Sequence, residues 1–367
     1  MELSQRQKLA WLRLIRSENV GPSTFRQLIN REGSAEAALE VLPQLARKIG
    51  KPIRVPSLAE AEREFEQVER AGGRFVLQGE AAYPTLLKYI GGAPPIIAIL
   101  GGNRLDWSRG IALVGARNAS AAGLKMAQVL ARDLGDAGYV TVSGLARGID
   151  GAVHKASLST GTIAVLAGGL ARIYPNEHLH LAQEILDKGG ALVSEMPFEW
   201  EPRARDFPRR NRLVSGISQG VVVVEAAKRS GSLITAQYAL DQNRDVFAVP
   251  GSPLDPRAEG GNHLIQQGAR LITSARDIVD ALGHFRSDQG EMFEPDWIPD
   301  DGYLDSGPPS SDDLGLLLGA LSVSPVHVDD LVRATSLRAS QVQAMLLELD
   351  LEGRVEWSSG QYVALVP

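Results

Sequence analysis

Between Ile111 and Val249 the chain repeats one pattern. A short run of apolar, mostly β-branched residues ends in a loop containing glycine or serine, and a stretch with helical spacing follows. The runs are Ile111–Val114, Tyr139–Val142, Thr162–Val165, Ala191–Val193, Val221–Val224 and Val246–Val249. Strands this short and apolar are covered on both faces, which is the situation of parallel strands connected by helices. The pattern predicts a doubly wound α/β domain with a mostly parallel sheet. Two further runs, Arg74–Leu77 and Ile96–Leu100, are expected to extend that sheet at one edge.

A chain of 367 residues exceeds one ordinary core, so two or three domains are expected. Residues 1–72 read as helical: Leu9, Leu12 and Ile15, then Phe25, Leu28 and Ile29, recur at helical spacing, and Ser57 caps a charged helix running to Arg70. The link Asn19-Val-Gly-Pro-Ser23 resembles half of a helix-hairpin-helix, but one Gly-Pro turn reads as a plain helical connection. Residues 73–285 hold the α/β domain. Residues 286–312 contain eight acids, four prolines and three glycines without periodicity, the composition of a linker. Residues 313–367 carry three short helical segments and a hairpin, Gly353–Trp357 with Tyr362–Leu365, the plan of a winged helix.

The formal net charge of −6 conceals an uneven distribution. Residues 286–367 hold four arginines and fifteen acids, whereas residues 1–285 hold 34 bases and 29 acids. The acidic balance therefore belongs to the tail and leaves room for a polyanion bound upstream. No cysteine is present, which excludes disulfides, thiolate metal sites and cysteine nucleophiles. No apolar run reaches the ~18 residues of a membrane span, and the N-terminus lacks the plan of a signal peptide, so a cytoplasmic protein without membrane contact is expected.

Five arginines fall between Arg203 and Arg212, with Asp206 as the one acid and Phe207 as the one ring among them. The stretch lies between two strand runs and reads as a loop on a rigid scaffold. Guanidinium suits phosphate oxygens, and a ring beside it offers a stacking face for an unpaired base. One acid against five bases suggests that internal pairing cannot absorb the charge. In an open parallel sheet, ligands bind outside the carboxyl ends of the strands. Reading those ends in order places Gly115 and Arg117, then Ser143, Gly144, Arg147 and Gly148, then the loop from Gly168 through Arg172 to Tyr174-Pro175, then Phe207, Arg209, Arg210, Asn211 and Arg212, then Ser230, Gly231 and Ser232 on one rim. Several of these loops open a helix, where free amides favour an anion. Asp150 and Glu225 are expected to support the site, Glu225 by holding Arg210 or Arg212 in place.

A dinucleotide site does not fit, because the first loop lacks the third glycine of GxGxxG and Ser143 stands where a ribose-binding acid would be. No GxxxxGK[ST] is present, so a P-loop hydrolase does not fit either. His154 reads as a capping or packing residue, since no nucleophile sits at a recognisable elbow. His178 and His180, two apart on a helix, point to different faces and make poor joint metal ligands. The site reads as a binding site without cofactor or metal, and no catalytic residue is assigned.

Together these motifs resemble the DNA-processing protein A (DprA/Smf) family. The matching segments include Val114-Gly-Ala-Arg-Asn-Ala-Ser120, Val142-Ser-Gly-Leu-Ala-Arg-Gly-Ile-Asp150 with His154, Tyr174-Pro175, Phe207-Pro-Arg-Arg-Asn-Arg212, Val224-Glu-Ala226, Ser230-Gly-Ser-Leu-Ile-Thr-Ala236 and Phe247-Ala-Val-Pro-Gly251. The resemblance is close over about residues 83–275. It implies a Rossmann-like core that binds incoming single-stranded DNA during natural transformation, forms a homodimer through that core and hands the strand to the RecA recombinase. It places Arg117 and Arg209, Arg210 and Arg212 at a phosphate pocket, and makes residues 1–72 a sterile-alpha-motif-like helical domain. The chain departs from the family at Ala171, where an acid is frequent, and near His178, where an asparagine is.

Two other readings compete. A nucleoside-monophosphate phosphoribohydrolase would carry a Pro-Gly-Gly-x-Gly-Thr loop, of which Ser230-Gly-Ser232 with Thr235 is a faint echo. A duplex-reading winged helix would need a basic third helix, but the one here ends among Glu348, Asp350 and Glu352. That module reads instead as a protein-interaction module.

Overall fold

The computed structural model describes residues 3–49, 53–288, 311–358 and 362–366. They divide into two compact units, one built on residues 63–290 and one that joins residues 3–62 to the described residues beyond 310. The segment expected as an acidic linker lies, from 289 to 310, outside the described residues.

The N-terminal helices are α1 (Gln5–Ile15), α2 (Pro22–Glu32), α3 (Ala35–Ile49) and α4 (Leu58–Arg70). Ser4 closes α1 with a capping box to Gln7, and Pro22 opens α2 at a position where its missing amide costs nothing. The first three helices pack around Leu14, Phe25, Leu28 and Leu42.

The α/β unit then runs β1 (Gly73–Leu77), α5 (Thr85–Lys88), β2 (Ile96–Gly101), β3 (Gly110–Val114), α6 (Ala121–Asp136), β4 (Val140–Ser143), α7 (Ile149–Ala156), β5 (Thr162–Val165), α8 (Leu179–Asp187), β6 (Ala191–Ser194), α9 (Asp206–Ile217), β7 (Gly220–Val223), α10 (Gly231–Asp241), β8 (Asp245–Ala248), α11 (Glu259–Gln266), β9 (Arg270–Leu271) and α12 (Ala275–Asp288). All strands belong to one sheet of order β1-β2-β6-β5-β4-β3-β7-β8-β9. The strands from β6 to β9 are parallel, and β1 and β2 add an antiparallel edge. Side chains alternate across the sheet. Ala112 and Val114 face α9 and α10 (Leu213, Val214, Ile217, Ala236, Ala239), while Ile111 and Leu113 face α6 and α7 (Leu130, Leu134, Ile149, Val153). Strand order reverses between β3 and β7, which opens a crevice at their carboxyl ends.

The arginine stretch is not a loop. It enters α9, whose first residue, Asp206, accepts from the Trp200 indole (2.9 Å) and the Arg203 amide (2.8 Å). An acid there complements the positive end of the helix. Arg210, Leu213, Val214 and Ile217 then recur at helical spacing on its buried side.

The C-terminal part comprises α13 (Ser311–Ala320), β10 (Val326–His327), α14 (Val328–Thr335), α15 (Ala339–Leu351), β11 (Val355–Ser358) and β12 (Tyr362–Leu365), a winged helix with sheet order β10-β12-β11. Strand β10, two residues long, is too short for its pattern to show. The sequence treats the two ends of the chain as separate domains. The structure packs them together, with Leu347 of α15 inside the N-terminal apolar cluster.

Candidate nucleic-acid interface

At the carboxyl ends of β3, β4 and β5, three loops and the start of α9 enclose a pocket of about 340 Å³. Its mouth carries the exposed side chains of Arg117, Asn118 and Arg147, and its wall carries Tyr174, Pro175 and Phe207. The Arg117 guanidinium lies 5.2 Å from the Phe207 ring centre, within cation–π range. Tyr174, half exposed, meets the same ring edge-on at 5.4 Å. A cation and two partly exposed rings therefore share one surface.

Beneath them lies a buried polar layer. Arg210, 5% exposed, donates from Nη1 to the Gly144 carbonyl (2.5 Å) and to the Val165 carbonyl, and from Nε to Asn211 Oδ1 (3.3 Å). A side chain at Gly144 would place its Cβ 2.6 Å from that guanidinium, which only glycine avoids. Asp150 turns back to accept the amides of Gly144 (3.0 Å) and Ala146 (3.2 Å). Burial pushes the Asp150 carboxyl up, opposed first by the Arg210 charge and then by the two amides. Burial likewise lowers Arg210 to about 10, with Asp150 opposing and Arg117 adding to the fall, so Arg210 stays charged near neutrality. Gly148 holds φ +74°, and a Cβ there would come 2.2 Å from the Ala116 carbonyl, so the second loop can cross the first only with glycine.

The sequence places five arginines in contact with phosphate, and the structure separates them. Arg212, 9% exposed, donates to the Gly92 carbonyl (2.7 Å) and pairs with Glu195. Glu195, itself buried, also holds Arg209 (3.3 Å), whose side chain is 47% exposed. Arg210 and Arg212 are therefore internal supports, and internal pairing does absorb much of the charge. Arg147 is exposed but bound in both forks by Glu177 (2.8 and 2.7 Å). Arg203 lies 4.5 Å over the Trp200 ring.

Three other expectations change. Glu225 holds neither Arg210 nor Arg212. It accepts the amide (2.9 Å) and hydroxyl (2.5 Å) of Ser120, the cap of α6. Ser143 is fully buried and donates to the Leu113 carbonyl (2.7 Å), so its hydroxyl does not reach the rim. Ser230, Gly231 and Ser232 open α10, with Ser230 as its cap, and connect to α9 through Asn211 Nδ2 and the Gly231 carbonyl (3.3 Å), away from the pocket lining. Gly115 packs against Ile149 and the Glu225 carbonyl. His154 is buried against Thr162 (2.8 Å), and burial, with His178 and Arg210, holds its ring near 3 and neutral, as suits a packing residue. Tyr174, Pro175, Asn118 and Ala146 also line the pocket; the strand-end loops that the sequence places on the rim contain all four, without a binding role assigned to them.

Residues 74–283 match the family model for DNA recombination-mediator protein A, over more than half of the chain. The chain belongs to that family. The family's DprA-like N-terminal HHH domain matches residues 5–66, and its DprA winged helix domain matches residues 305–361. The helical N-terminal domain expected from sequence is thus matched under a helix-hairpin-helix description, and the Asn19–Ser23 link, read as a plain connection, lies within it. Among relatives, protein Smf of Escherichia coli (strain K12) is 42% identical over 261 residues, 70% of this chain and 67% of that protein. The DNA processing protein DprA of Bacillus subtilis (strain 168) is 48% identical over 203 residues, 54% of this chain and 68% of that protein. The crystal structure of DprA from Streptococcus pneumoniae superposes with TM-score 0.62 at 30% identity, covering 76% of this chain and 98% of that one. DprA from Helicobacter pylori, described by its single-stranded DNA binding mode, gives TM-score 0.53 at 26% identity over 59% of this chain and 98% of that one.

Proposed function

We propose that this member of the DNA recombination-mediator protein A family binds single-stranded DNA on the rim of its parallel sheet. The observation that carries the reading is the grouping of Arg117, Phe207 and Tyr174 at the mouth of the pocket. A guanidinium takes a phosphate while the adjacent rings accept an unpaired base, a combination that tolerates any sequence. Arg147 and Arg209 extend the exposed positive rim, and Gly144, Gly148, Asp150, Arg210 and Arg212 hold its shape. The Gly231 amide offers a further phosphate seat where α10 begins, while the Ser232 amide is taken by the Ser230 cap.

In the family setting, the strand so held is incoming DNA in natural transformation, protected and passed to the RecA recombinase by a homodimer formed through the Rossmann-like unit. The H. pylori relative, a single-stranded DNA binder, supports this reading. The phosphoribohydrolase reading needs a free carboxylate beside the nucleotide, and Glu225 is instead committed to Ser120.

The test is titration of single- and double-stranded oligonucleotides against salt, with wild type and Arg117→Ala. Single strands should bind more tightly than duplex, and each phosphate neutralised should contribute a slope of about −0.7 in log affinity against log salt. Equal affinity for duplex, or a salt-independent affinity, would overturn the proposal.

A further inference from the structure

In a helix-turn-helix module the recognition helix presents an outer face to a DNA groove. In this chain the C-terminal half of the corresponding helix of the winged module, α15, is covered on one side by protein, at Leu347 and Asp350. Val342, Met345, Leu346 and Leu349 turn into the winged helix's own core. Leu347, 3% exposed, belongs instead to the apolar cluster of Leu14, Phe25, Leu28, Ala38 and Leu42 on α1, α2 and α3. Three residues further along α15, and so on the same side of the helix, the Asp350 carboxylate accepts a hydrogen bond from the hydroxyl of Thr24 on α2. Thr24 is fully buried. An apolar anchor and a buried polar contact thus lie side by side along one seam. Burial pushes the Asp350 carboxyl up to about 6 despite the opposing Thr24 bond, which agrees with a seam largely closed to water.

We propose that the N-terminal helices are the docking partner of α15, so that the winged helix acts as an internal clasp between the two ends of the chain and not as a reader of duplex DNA. The charge of the helix fits this role. Glu348, Asp350 and Glu352 would meet a phosphate backbone with like charge, whereas an N-terminal partner supplies Leu347 with an apolar seat and Asp350 with a donor. The clasp gives the winged helix a function that leaves DNA contact to the rim of the parallel sheet.

The absence of cysteine makes the test direct, because an introduced pair is the only thiol pair in the full chain. With Thr24→Cys and Asp350→Cys together, mild oxidation should close an intramolecular disulfide, read as a faster-migrating monomer on a non-reducing gel. A control pair, Thr24→Cys with Asp330→Cys on the exposed side of α14, should close at least tenfold more slowly. Adding Leu347→Arg to the first pair should also slow closure at least tenfold. Near-ultraviolet dichroism checks that the module stays folded; if that variant unfolds, the control pair decides alone. Equal closure of the two pairs, or linkage only into dimers, would overturn the clasp. So would a tenfold slowing of closure by excess duplex, which would mean that α15 leaves its seat to enter a groove.

Discussion

Replacing Arg210 by methionine separates a supporting role from a DNA-contacting one. The guanidinium is 5% exposed, bonded to the Gly144 and Val165 carbonyls, and electrostatically coupled to Asp150. Methionine fills much of the volume but removes the charge and both donors. Removing one partner of a buried charged pair costs about 3–5 kcal/mol, because the other is left uncompensated. The orphaned carbonyls fall within the same range of effects, so the terms are not added. For a unit of this size, about 2–4 °C of Tm accompanies each kcal/mol, which sets the expected fall at roughly 6–20 °C. Calorimetry of the full chain reads it, and a single-strand titration below the transition reads binding. Adding Asp150→Asn removes the stranded charge and should restore more than half of the loss. By contrast, Arg117→Ala should weaken binding while stability moves by less than about 0.5 kcal/mol, as for an exposed position. If Arg210→Met stays within about 1 kcal/mol of wild type and yet loses DNA binding, Arg210 is a ligand arginine and the burial argument fails.

Glu177→Gln frees Arg147 from its two-pronged partner and should tighten single-strand binding severalfold, with a salt slope steeper by about 0.7; an unchanged slope would show that Arg147 stays off the strand. Gly148→Ala forces a side chain onto a +74° φ against the Ala116 carbonyl and should cost more than about 1 kcal/mol in urea unfolding. The clasp should depend on pH. The Asp350 carboxyl, at about 6 in the folded chain against an ordinary 3.8, keeps its proton over that window, so the docked state is most stable below about pH 3.8 and weakens as pH rises through 6. The full change is at most about 3 kcal/mol. Its cause is burial, opposed by the Thr24 bond; the packed helices also carry Arg26, Arg31 and Glu32 on α2, Glu36 and Glu40 on α3, and Glu348 on α15. Hydrogen exchange in α2 and α15, corrected for intrinsic rate, should loosen from pH 5 to 7.5 in wild type and stay flat in Asp350→Asn.

Much of the fold was legible because its signals are local. Short apolar runs such as Ile111–Val114 and Val221–Val224 announce strands covered on both faces, and the glycine- and serine-containing loops between strand and helix mark the rim where ligands bind. Arg117, Arg147 and Phe207 were read from those loops and reach the pocket. The helix at Asp206 is also encoded locally, in the spacing of Arg210, Leu213, Val214 and Ile217, but five arginines in ten residues mask that apolar period.

What only the tertiary structure decided is where each charge ends. Counting acids near Arg203–Arg212 finds one, yet Arg212 is answered by Glu195 and by the Gly92 carbonyl 120 positions away, and Arg210 by carbonyls 66 and 45 positions away. The clasp is the same case at the longest range, with Thr24 and Asp350 separated by 326 positions. Secondary structure follows from the chemistry of neighbours along the chain. Charge compensation and burial follow from neighbours in space, and those neighbours exist only once the sheet and its crossovers have folded.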